Sequence, residues 1–138
     1  MAWTRRTRSE DGFTLIELIV VVMIIGILAA IALPAFLGQR VKGQDASAKS
    51  DVRSMIGQME ACYTEVDRYD PCPLPDTGLD VGSGPGQVQA TPSGDTYVVV
   101  AYSLSGNSFT ATKHPDGTVT RTCDATSAPR GGCDGGSW

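Results

Sequence analysis

From Phe13 to Phe36 the chain runs 24 residues with a single ionisable side chain, Glu17. A helix of that length reaches about 36 Å, enough to cross a hydrocarbon core of about 30 Å with some tilt. A segment in lipid must satisfy its own backbone hydrogen bonds, so helix is the expected state. Arg5, Arg6 and Arg8 precede the run. By the positive-inside rule they put the N-terminus in the cytoplasm and the residues after Gln39 outside the membrane. A secretory signal peptide also has a basic start, but its apolar core is usually about 7–15 residues. This run is longer and lacks a persuasive small-residue cut site at its end.

Glu17 makes the run unlike a plain anchor. A carboxylate at the centre of a membrane helix costs about 2.5–3.5 kcal/mol on insertion scales, and less near the interface. Two readings are open. Glu17 is a tolerated interfacial carboxylate, or it waits for a cation. The simplest such cation is the amino group that the chain would gain if it were cut before Phe13.

Gly12-Phe13-Thr14-Leu15-Ile16-Glu17-Leu18, with a short polar leader before it and an apolar helix after it, resembles the processing region of type IV pilins and pseudopilins. The likeness covers Arg5 to about Gln39. It implies a leader of residues 1–12 removed by prepilin peptidase, cleavage between Gly12 and Phe13, and N-methylation of Phe13. It implies that Glu17 pairs with the terminal amine of a neighbouring subunit during assembly. Gly26 and Pro34 match positions between which such helices loosen in a filament. Glu10 and Asp11 depart from the pattern, since basic residues are more usual there.

The whole chain has 138 residues and a formal net charge of −4. Residues 1–12 carry net +1, which leaves the remainder near −5. That balance argues against direct nucleic-acid or anionic-lipid binding by the exposed part. Cys62, Cys72, Cys123 and Cys133 suit an oxidising exterior and allow three connectivities. The spacing favours Cys62–Cys72 and Cys123–Cys133, each worth roughly 2–3 kcal/mol if unstrained. One histidine and no close cysteine pair make a zinc site unexpected. Asp124 with Asp134, or Asp76 with Asp80, are candidate calcium ligands, but the alternating acids of an EF-type loop are missing. No metal or cofactor is expected.

Beyond Pro34 the helix is expected to continue, kinked rather than ended. Ala48, Val52, Met55, Ile56, Met59, Tyr63 and Val66 recur at steps of three or four, which makes one apolar stripe. Asp45, Lys49, Arg53 and Glu60 are read as a solvated face. The helix should span about Phe13 to Val66, with Asp70-Pro71 ending it. Cys72 to Asp95, rich in Gly, Pro, Asp and Ser, reads as a long surface loop. Thr96–Leu104, Ser108–Lys113 and Thr118–Thr122 read as strands, and His114-Pro115-Asp116-Gly117 as a tight turn with His114 a turn residue. Three strands in sequence make an antiparallel meander whose apolar face covers the amphipathic part of the helix. Trp138 is left open: folded back, in contact with a neighbour, or exposed.

The expected fold is α+β: a long N-terminal helix on a small three-stranded antiparallel sheet with disulfide-bounded loops. Residues 13–36 form its membrane or filament-core segment and residues 37–138 an extracellular domain. No acid–base pair, cysteine–histidine pair or phosphate cradle points to catalysis. The resemblance implies a structural subunit that polymerises with its own kind. Its partners would be prepilin peptidase, an assembly ATPase with its platform, and the cytoplasmic membrane before export. Within that class the alternatives are a type II secretion pseudopilin and a competence pilin. From another class comes a single-pass anchor presenting a small binding module.

Overall fold

The computed structural model describes residues 12–73, 76–125 and 131–138. The chain divides into two units, Met1–Phe36 and Leu37–Trp138. One helix, α1 (Leu15–Val66), contributes residues to both. Pro34 lies inside it without ending it.

In the first unit, the large apolar side chains from Phe13 to Phe36 are all exposed. An 18-residue window of the helix has mean hydropathy 3.0. A helix that is apolar all round requires a non-aqueous neighbour on every side, whether lipid or other helices.

In the second unit the helix changes character. Ala48, Val52, Met55, Met59 and Cys62 are buried, with Ile56 and Tyr63 packed beside them. They face a four-stranded antiparallel meander: β1 (Val88–Ser93), β2 (Thr96–Tyr102), β3 (Ser108–Lys113) and β4 (Val119–Asp124). Val88, Tyr97, Val99, Ala101, Phe109 and Ala111 form its inner face. Val66, the last member of the expected stripe, is exposed.

The sheet therefore has four strands, not three. Val88–Ser93 falls in the stretch expected to be loop, where Pro92 and flanking glycines mask the alternation. A proline is tolerated there because β1 is an edge strand. Ser93 pairs with Thr96, and Gly94, with a φ of 57°, supplies the positive backbone angle that a two-residue hairpin needs.

The helix also stops before Asp70-Pro71. Asp67 takes a left-handed φ of 57° and its N–H donates to the Tyr63 carbonyl at 2.8 Å. That is a local C-terminal cap, so the proline is not what terminates α1.

Candidate functional site

Gly12, Phe13 and Thr14 precede α1 and are exposed. Thr14 is the N-cap. Its Oγ1 accepts from the Glu17 backbone N–H at 3.3 Å, and its carbonyl accepts from Leu18 N at 3.2 Å. Thr14-x-x-Glu17 is thus the sequence pattern of a capping box, a signal that the sequence reading passed over. The cap puts the Glu17 carboxylate in the first turn, where the helix dipole favours negative charge. Among the described residues that carboxylate has no hydrogen-bond or ion-pair partner.

A Cβ built on Gly12 or Gly26 would meet nothing within 4 Å. Packing within the chain does not demand glycine at either place. Any demand must come from what the segment touches: an enzyme at Gly12, or neighbouring helices at Gly26. Gly26 and Pro34 both lie in the helix interior. Residues 1–11, which carry the three arginines and the rest of the expected leader, lie outside the described residues.

The four cysteines sit in the second unit. Cys62 bonds to Cys72 with Cα atoms 6.0 Å apart, and Cys123 bonds to Cys133 at 5.8 Å. Both spans lie in the ordinary range for a disulfide. The first bridge joins the last turns of α1 to the segment after it. The second joins β4 to the C-terminal stretch.

Of the charges expected on a solvated face, Arg53 is exposed, but Asp45, Lys49 and Glu60 are drawn into the fold. Asp45 is completely buried and accepts from Ser105 Oγ at 2.5 Å and Asn107 Nδ2 at 2.8 Å. Gly131, with a φ of 50°, packs so closely on the Asp45 carboxylate that a side chain there would clash. Lys49 Nζ donates to the carbonyls of Gly131 at 2.8 Å and Gly132 at 3.3 Å. Together, Asp45 and Lys49 bind the β2–β3 turn and the C-terminal loop to the helix.

Glu60 does the same at the other end. It accepts from Tyr69 Oη at 2.8 Å, Tyr97 Oη at 2.9 Å and Lys113 Nζ at 3.2 Å. Burial pushes its carboxyl up, but the hydrogen bonds from Tyr69, Tyr97 and Lys113 prevail and hold it below its ordinary value. The two phenols are pushed up, by burial first and by the Glu60 charge second. The donors to these helix charges come from distant strands and loops, which helical periodicity alone does not reveal.

His114 sits in the β3–β4 turn, with its ring Nε2 2.9 Å from Thr120 Oγ1. Trp138 is folded back: its Nε1–H donates to the Thr110 carbonyl at 3.2 Å. Among the described residues no three His, Cys, Asp or Glu side chains converge as a metal-binding group. A cleft of about 420 Å³ lies between α1 and the end of β2, lined in part by Arg40, Gln44, Asp51, Tyr102 and Leu104. It contains no histidine or cysteine to act as base or nucleophile.

Residues 7–33 match the family model described as the prokaryotic N-terminal methylation motif. A fimbrial protein of Pseudomonas aeruginosa is 35% identical over 127 residues, covering 85% of this chain and 82% of that protein. The type IV major pilin protein PilA of Myxococcus xanthus is 41% identical over 69 residues, which are 50% of this chain but only 31% of that longer relative. The type II secretion system core protein G of Aeromonas hydrophila is 34% identical over 73 residues, 53% of this chain and 49% of that protein. No solved structure matches the chain.

Proposed function

Because the chain belongs to the type IV pilin family, we propose that it is the structural subunit of a type IV pilus-like extracellular filament. The observation that carries this reading is the capped helix at Thr14–Glu17, whose apolar side chains are exposed around its whole circumference as far as Leu37. Such a helix suits two successive environments, a bilayer and a bundle of its own kind.

The precursor waits in the cytoplasmic membrane with its N-terminus inside. Prepilin peptidase cuts between Gly12 and Phe13 and methylates the new amine of Phe13. An ATPase-driven platform then lifts the subunit out, and the helices pack in the filament core. There Glu17, costly when unpaired in hydrocarbon, meets the Phe13 amine of a neighbour and sets the register. Gly26 and Pro34 are where the helix loosens to fit that packing. Head-to-tail contacts that do not close into a ring give a filament. The role is structural rather than enzymatic, and the filament serves adhesion, motility or a related surface function.

The secretion pseudopilin remains the second reading, favoured by the likeness to core protein G. The fimbrial alignment takes in 85% of the chain against 53% for core protein G, which supports the pilus. N-terminal mass spectrometry on protein sheared from the cell surface tests the proposal. The expected chain begins at N-methyl-Phe13. A chain beginning at Met1 and confined to membranes would favour a single-pass anchor instead.

A further inference from the structure

Three cations converge on one aromatic pair in the second unit. Phe109 and Trp138 meet edge to face with ring centroids 5.8 Å apart. Lys49 Nζ lies 5.0 Å from the Phe109 ring centre, and the guanidiniums of Arg53 and Arg121 each lie 5.5 Å from that of Trp138. The indole is held by its bond to the Thr110 carbonyl, so the two arginines share a fixed platform.

Among the described residues neither arginine has an acidic partner within ion-pair distance. Among the described residues the one salt bridge is Lys113–Glu60. One turn before Arg53 stands Lys49, a like charge. Arg121 pairs across the sheet with Ala111 and has Phe109 and Lys113 as diagonal neighbours on the same face. Residues 126–130 add no acid. Gathering positive charge in this way costs stability through repulsion, and it occurs on a chain of net charge −4.

A denser run of acidic charge follows the end of α1. Glu65, Asp67, Asp70, Asp76 and Asp80 are all exposed, with Arg68 the only base in that stretch, and among the described residues none forms an ion pair. Glu65 stands twelve residues beyond Arg53 on the same helix, about 18 Å along its axis. That is too far for Glu65 to pair with Arg53 within one chain.

We propose that the Arg53–Trp138–Arg121 patch is a carboxylate-binding surface that receives the Glu65–Asp80 stretch of a second copy of this chain. The proposal rests on the filament reading and names a subunit contact within it. Two unlike patches on one subunit make a heterologous contact, the kind that propagates. Opposite potentials select that register and weaken with added salt. A polyanion such as nucleic acid fits less well, because the acidic remainder of the chain repels it.

The test is charge exchange in cells that assemble the wild-type chain. Arg53→Glu with Arg121→Glu, and Glu65→Lys with Asp80→Lys, are each expected to cut sheared filament by about tenfold or more. All four changes together should restore it. Processed subunit in the membrane is measured in parallel. Should the reversed arginines prevent its accumulation, Arg53→Gln with Arg121→Gln carries the test and should lower the salt concentration at which filaments dissociate. Unchanged filaments in the reversed variants, or no rescue by the combination, would overturn the contact while leaving the filament reading intact. Nucleic acid captured by intact wild-type filaments and lost only with the arginine changes would reassign the patch and overturn it too. Failure of the wild-type chain to form filaments would remove the functional reading and this contact together.

Discussion

Two glutamates on one helix show how differently its two halves are built. Glu60, among residues that pack on the sheet, takes hydrogen bonds from Tyr69, Tyr97 and Lys113. Glu17, in the apolar half, has no partner for its carboxylate among the described residues. One is satisfied by its own chain and serves folding. The other can be satisfied only from outside those residues, which fits the assembly role proposed for it. The apolar side chains divide the same way: Met55 and Phe109 are fully buried within the chain, while Ile24 and Leu28 are exposed and await a partner.

This contrast can be tested by changing each half in turn. Phe109→Ala empties a completely buried site and should cost about 3–5 kcal/mol of stability. Thermal unfolding of the full chain in detergent should show it, with membrane insertion unaffected. Glu17→Ala should do the reverse: the folded second unit melts as before, while filament yield falls about a hundredfold, the equivalent of roughly 2.5–3.5 kcal/mol. Normal filaments from that variant would end the assembly role of Glu17.

Glu60→Ala strands the hydroxyls of Tyr69 and Tyr97, which are 2% and 1% exposed. About 1–3 kcal/mol should be lost, read from the same melting curves. The pH dependence has a definite sign. Because the Glu60 carboxyl is held below its ordinary value of 4.5, its stabilisation is present above that pH and lost as pH falls through the lower folded value. Wild type should therefore lose more stability than Glu60→Gln on acidification from pH 5 towards the folded value, and equal losses would remove Glu60 from the account. Thr14→Ala should have the smallest effect, about 1 kcal/mol of helix capping, seen as weaker amide-exchange protection of the first turn.

Much of this was legible in the chain because it is local. The apolar run, the Gly12–Glu17 motif, the stripe from Ala48 to Tyr63 and the β-branched segment at Thr96–Tyr102 depend on neighbours within a few residues. A helix in lipid needs no distant partner to close its hydrogen bonds. Strand β1 was not legible, since its short polar alternation with Pro92 gains meaning only by pairing with β2. The buried Asp45 and the hydrogen-bonded Glu60 were hidden for a related reason. Their donors at Ser105, Asn107, Tyr69, Tyr97 and Lys113 arrive from other elements, and helical spacing does not report them. Trp138 lay open among three outcomes until packing on Phe109 and the Thr110 carbonyl selected one. Covalent order was thus enough to specify the apolar helix, its motif and the span of α1. Which charges are buried, which strand closes the edge and where the last aromatic lies were settled when distant residues met, since a contact energy exists only between groups the fold has brought together.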